Sequence, residues 1–184
     1  MNIIINNSIR EKYHHGFDRD QPITEIVIHG TGGGADAAGL MDWMLGGERA
    51  TEYQKGVGLF HYLNDRNGDV YEIIDPARWV YHSSSGIHDK YTIGIEHINP
   101  SPKNAAEYTD AQYQSLEELI LKLLDDYPMI NTIVGHVQNT MKYSGPKYVK
   151  APCPGNFNWT RLQTALNAGG LGFSLGLERM TRAV

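Results

Sequence analysis

The stretch ITEIVIHGTGGG, residues 23–34, decides how the rest of the chain is read. Its first seven residues are rich in β-branched side chains and alternate, which predicts a strand ending at His29. Gly30 to Gly34 suit no regular element, so the chain leaves the strand into a loop. A second strand of the same kind is TIGIEHI, residues 92–98, closed by Asn99-Pro100. Alternation there puts Ile93, Ile95 and His97 on one face, with Gly94 and Glu96 on the other. A third and shorter strand, NTIVG at 131–135, leads straight into His136.

Between these strands the pattern changes period. Leu40, Met41, Met44 and Leu45 have helical spacing from Ala35 to about Leu45, and Gly46-Gly47 stops the helix. VGLFHYL (57–63) and DVYEII (69–74) flank Asn64-Asp65-Arg66-Asn67-Gly68, a turn that predicts a β-hairpin. Thr109 and Gln112 form a capping box, ahead of a helix with Tyr113, Leu116, Ile120, Leu123 and Leu124 on one face. The segment 138–155, rich in Gly, Pro, Lys and Tyr, reads as a long ordered loop. A short helix is expected over 159–167, followed by a Gly-rich tail. Elements in this order predict an α/β fold, one domain with a central mixed β-sheet flanked by α-helices.

The bulk properties exclude several classes. With 184 residues, 41% apolar and 20% charged, the chain can build a core and is not of disordered composition. A net charge of −5 offers no overall basic field for nucleic acid. No apolar run approaches the roughly 20 residues that span a bilayer, so no stable membrane insertion is expected. The N-terminus MNIIINNSIREKYHHG lacks a basic lead-in and a small-residue cleavage site, so the expected location is the cytoplasm of the producing cell. One cysteine excludes an internal disulfide and leaves Cys153 as a small buried residue, a nucleophile or a metal ligand. Zinc takes His nitrogen and Cys sulfur, three protein ligands and a water at catalytic sites. His29 and His136 end strands and Cys153 lies in a Pro-rich loop, but no CxxC or HExxH spacing is present.

Six segments in order carry a family resemblance: IVIHGT, FHYLNDRNGDVYEIID, WVYHSSS, TIGIEHIN, the VGH at 134–136, and CPGNFNW at 153–159. Over residues 22 to 168 the series resembles the type 2 N-acetylmuramoyl-L-alanine amidases, which include phage endolysins, bacterial recycling amidases and peptidoglycan recognition proteins. The resemblance implies an amidase domain over 1–168 with a tail at 169–184, acting as a monomer on peptidoglycan or muropeptides. It implies one catalytic Zn2+ on His29, His136 and Cys153, in the version of the site that uses a thiolate where other members use Asp. It also implies that Glu96 is the general base, because the branch without a catalytic glutamate carries a tyrosine where this chain has Phe60.

Family members place a lysine two residues before the third ligand. Here that position is Ala151, and Lys150 stands three before Cys153 with Pro152 as a one-residue insertion. His61 and His82 match positions near the substrate groove. The implied activity is hydrolysis of the bond between N-acetylmuramic acid and L-alanine, as an endolysin that reaches the wall after release. A recycling amidase on freed muropeptides is the second role. A non-catalytic peptidoglycan-binding module is the third, and such modules typically lack the cysteine that Cys153 supplies.

Overall fold

The structure is a computed structural model that describes residues 2–13, 16–46, 58–149 and 152–169. Lys150, His14, His15 and the tail beyond Gly169 lie outside the described residues. Six strands form one sheet: β1 (Ile3–Ile5), β3 (Glu25–Gly30), β4 (Tyr62–Asn64), β5 (Val70–Glu72), β7 (Thr92–His97) and β8 (Thr132–Gly135). Their order is β1-β5-β4-β7-β3-β8, and all neighbours are parallel except the β4–β5 hairpin, so the sheet is mixed. Two short strands, β2 (Phe17–Asp18) and β6 (Arg78–Trp79), pair apart from it.

The alternation predicted for 23–29 and 92–98 decides what lies on each face. Ile26, Ile28, Ile93 and Ile95 point to one side and bury against α3 (Asp110–Asp126) and α5 (Trp159–Ala168). From α3, Leu116, Leu119, Ile120 and Leu123 join this core, each fully buried. The α3 helix starts where the capping box places it: the Gln112 N–H donates to Thr109 Oγ1, and the Gln112 side chain accepts from the Thr109 N–H. On the other face α1 (Asn7–Tyr13) and α2 (Ala37–Gly46) cover the hairpin side through Ile9, Met44 and Leu63. The hairpin turn also caps α2, since Asp65 Oδ2 accepts from the Ala37 N–H at 3.1 Å.

Two segments depart from the sequence reading. Residues 138–155 are not a loop throughout: α4 (His136–Tyr143) begins directly at the end of β8, and a 3-10 turn follows at Pro146–Tyr148. The Gly-, Pro- and Lys-rich composition belongs only to the second part, and it masked an eight-residue helix without a long apolar stripe. One of the helix's first N–H groups is satisfied from outside, because Val137 N–H donates to Cys153 O at 3.1 Å. The N-terminal residues Ile3–Ile5, read only as an apolar patch, form the parallel edge strand beside β5. Among the described residues no helix is long and apolar enough to cross a membrane.

Candidate metal centre and active site

Ligand sites in open parallel sheets form beyond the carboxyl ends of the strands, and this sheet places three chemistry-bearing residues there. His29 is the fifth residue of β3, Glu96 is its register partner on β7, and His136 is the first residue after β8. Cys153 comes from the loop before α5. One nitrogen of each histidine and the cysteine sulfur lie within 4.8 Å of one another, so these three residues can hold a metal ion. His29 Nδ1 faces His136 Nδ1 at 3.2 Å and Cys153 Sγ at 3.9 Å.

The donor set and its spacing fit zinc. Zinc–nitrogen bonds of ~2.05 Å and a zinc–sulfur bond of ~2.3 Å in a tetrahedron imply N···N of about 3.3 Å and N···S of about 3.6 Å. The two distances from His29 Nδ1, 3.2 Å and 3.9 Å, are close to these values, and the third pair lies within 4.8 Å. Nitrogens that face each other at 3.2 Å can share either a proton carried by one ring or a cation bound by both. Burial and neighbouring imidazoles hold His29 well below the usual imidazole range, and burial lowers His136 as well. Burial, with Glu96 nearby, pushes the Cys153 thiol up to about 12.

The Cys153 loop is fastened from two sides. Asn104 is buried in the left-handed region at φ 56°, where asparagine is tolerated better than most residues. Its Oδ1 accepts from Gly32 N–H at 2.6 Å, and its Nδ2 donates to Pro152 O at 3.1 Å. Tyr108 Oη donates to Pro154 O at 2.6 Å. Gly30 has no side chain because one would collide with the Tyr108 hydroxyl and the Asn104 amide. Asn104→Ala removes two hydrogen bonds and strains the backbone, a loss of ~2–3 kcal/mol. That corresponds to a fall in Tm of roughly 5–10 °C for a domain of this size. Asn104→Gly, which relieves the strain, is expected to lose less, and thermal unfolding of both variants checks this.

Glu96 is partly exposed beside the cluster, and burial of its surroundings pushes its carboxyl up to about 8. The two histidines expected at the substrate groove lie beneath the cluster instead. His61 is fully buried; its Nδ1 accepts from Gly94 N–H at 3.0 Å, so Nε2 donates to Arg78 O at 3.1 Å. Both ring nitrogens therefore serve the backbone. The His82 side chain is 2% exposed and its Nδ1 lies 2.9 Å from His29 Nε2, behind the His29 ring rather than in the cleft wall. Its ring rests on Gly94, where a Cβ would stand 2.8 Å from His82 Nδ1.

Behind these rings is a buried polar network that the sequence reading missed. Asp89 accepts from the Ser85 hydroxyl at 3.0 Å and from the His82 N–H at 3.2 Å, and Ser83 Oγ also bonds its carboxylate. Thr140 Oγ1 donates to Ser83 O at 2.6 Å, and His136 is hydrogen-bonded to the Ser83 backbone. Desolvation raises the Asp89 carboxyl above its ordinary value against these hydrogen bonds. The signal in the sequence is slight: HSSSGIHDKYT is polar like a surface loop, but it joins WVY to a strand buried on both faces. A cleft of about 490 Å³ opens on the other side of the cluster. His136, Cys153, Asn104, Lys103 and Tyr148 are among the residues that line it.

With this geometry in hand, the comparisons with known proteins are consistent. The family model described as N-acetylmuramoyl-L-alanine amidase matches residues 19–156. No curated protein sequence matches the chain significantly. Among solved structures, the N-acetylmuramoyl-L-alanine amidase LysC from Clostridium intestinale URNW is 18% identical, with a TM-score of 0.68 over 91% of this chain and 98% of that one. The Ph2119 endolysin from the Thermus scotoductus MAT2119 bacteriophage Ph2119 is 20% identical, with a TM-score of 0.61 over 90% and 99% of the two chains. Drosophila peptidoglycan recognition protein SD is 17% identical, with a TM-score of 0.58 over 98% and 99%. At these identities the structures establish a shared fold. The family match spans most of the chain and includes every residue of the His29, His136 and Cys153 cluster, so this chain belongs to the N-acetylmuramoyl-L-alanine amidase family.

Proposed function

We propose that this chain is a zinc-dependent amidase that hydrolyses the bond between the lactyl carbonyl of N-acetylmuramic acid and L-alanine in peptidoglycan, working as a phage-type endolysin. One observation carries the reading: His29, His136 and Cys153 converge within 4.8 Å at the strand ends, on the sheet face that also presents Glu96. Zinc on these donors supplies a Lewis acid toward the amide carbonyl and lowers the pKa of water toward about 7.

The chain's own residues supply the proton traffic. A carboxyl held near 8 exchanges its proton at little cost around neutral pH. Glu96 takes the proton of the attacking water and returns it to the departing amine of L-alanine. Lys150 is the proposed partner of the developing oxyanion, and Lys103 is a described cation that lines the cleft. His61 and His82 support the site from beneath rather than touching the substrate.

Metal uptake carries a proton signature. A thiol held at about 12 must lose its proton to bind zinc, and Glu96, held at about 8, is mostly protonated at neutral pH. Zinc binding at pH 7 is therefore expected to release between one and two protons, with affinity rising as pH rises. Calorimetric titration in buffers of different ionisation enthalpy counts them, and release near zero would remove Cys153 from the metal.

The endolysin role draws on the resemblance to proteins described as endolysins. Purified sacculi should lose turbidity on addition of the zinc-loaded chain, with new alanine amino groups and no new reducing ends. Activity confined to soluble muropeptides would favour the recycling role. Binding to sacculi without release of amino groups would favour the non-catalytic module.

A further inference from the structure

We propose that His82 and Thr92 are positioning residues that hold His29 in the tautomer with its proton on Nε2, so that Nδ1 is bare toward His136 and Cys153. The inference rests on reading those three residues as a metal site, and it follows from counting protons along one buried chain of atoms. Thr92 is fully buried, and its hydroxyl lies 3.0 Å from Asp89 O. A carbonyl oxygen cannot donate, so in the assignment that makes every contact along this chain a hydrogen bond the single hydroxyl proton goes there. His82 Nε2, 2.7 Å from the same Thr92 oxygen, must then bring its own proton. A neutral His82 has no second proton, so its Nδ1 accepts. His29 Nε2, 2.9 Å from that Nδ1, is therefore the donor. What remains on His29 is the lone pair of Nδ1, which faces His136 Nδ1 at 3.2 Å and Cys153 Sγ at 3.9 Å.

The alternatives leave mismatched atoms. A proton on His29 Nδ1 would aim an N–H at the other two donors and set two lone pairs against each other across the 2.9 Å gap to His82. Turning His82 to the Nδ1–H form cures that gap but, at Thr92, either opposes lone pairs across 2.7 Å or takes the hydroxyl proton away from Asp89 O. These side chains are buried, so bulk solvent is not at hand to repair either fault. The carboxylate of Asp89 is 3.6 Å from His82 Nε2 and is already engaged by Ser83 and Ser85, so Thr92 is the partner in hydrogen-bond range.

Strand β7 carries the whole device on one face by alternation. Thr92 anchors the proton, Gly94 seats the His82 ring, and Glu96 stands beside His29. Orienting a ligand imidazole from behind in this way typically contributes 10- to 100-fold in metal affinity.

The test uses the zinc-loaded full chain, labelled with 15N, and reads each imidazole by long-range proton–nitrogen correlation. His29 is expected to carry its proton on Nε2 and bind through Nδ1, and His82 to carry its proton on Nε2. Competition with a chromophoric chelator then measures zinc affinity. His82→Phe, which keeps the volume and loses the acceptor, should bind zinc about 10- to 100-fold more weakly. Thr92→Val, of the same shape without the hydroxyl, should weaken binding and mix the His29 tautomers, while Thr92→Ser restores both. The Thr92 pair keeps the test decisive should His82→Phe fail to fold. A proton on His29 Nδ1 in the wild-type chain, or a Thr92→Val variant with wild-type affinity and tautomer, overturns the proposal. A wild-type chain that takes up no zinc would overturn the metal reading above. The same spectrum of that chain would still report the His29 tautomer and decide the inference separately.

Discussion

Cys153→Ala is expected to leave a folded protein that cannot retain zinc and whose amide hydrolysis falls to background. The cysteine is the only donor of the three that becomes an anion, and two imidazoles alone make a weak site. Loss of affinity of about a thousandfold or more is the expected scale, since a structural-type thiolate contributes several kcal/mol to zinc binding near neutral pH. The fold should survive because the loop's fastenings use other atoms. Val137 N–H bonds the Cys153 carbonyl, Asn104 bonds Pro152 O and Tyr108 bonds Pro154 O, and none of these needs the sulfur. Metal content after dialysis, read beside the circular dichroism spectrum, checks both halves. A folded variant with full zinc content would remove Cys153 from the site.

Glu96→Gln is expected to keep its zinc and lose turnover by roughly 10²- to 10⁴-fold, the range for removal of a general base. The amide has the shape of the carboxyl but cannot cycle a proton. Among the described residues no hydrogen bond or ion pair ties the Glu96 carboxyl to the scaffold, so the substitution should disturb little else. Rate constants at saturating muropeptide, together with metal content, separate the base role from a structural one. Near-normal turnover at full zinc content would refute it; loss of zinc would place Glu96 among the groups that hold the metal.

The parts of this molecule that were legible in its sequence are those governed by local rules. Ile26, Ile28, Ile93 and Ile95 alternate because one face of β3 and β7 meets α3, and that alternation places His29 and Glu96 on the opposite face. The Thr109–Gln112 capping box is a four-residue feature and was visible as such. What escaped was made by tertiary contact. α4 is short, begins without a side-chain cap and borrows a hydrogen-bond acceptor from Cys153 O. β1 exists only because β5 offers an edge to pair with. His82 matched a groove position by order along the chain, but its ring turns inward because Gly94 leaves room for it and Thr92 offers an acceptor. No spacing rule encodes such a choice.

Identification of the cleaved bond tests the central claim most directly. Disaccharide muropeptides digested with the zinc-loaded chain should yield, by mass spectrometry, a free stem peptide beginning at L-alanine and a disaccharide that keeps its lactyl acid. Both products should vanish on chelation and return on addition of zinc. Muropeptides left intact by a fully zinc-loaded chain, or cut at any other bond, would contradict it.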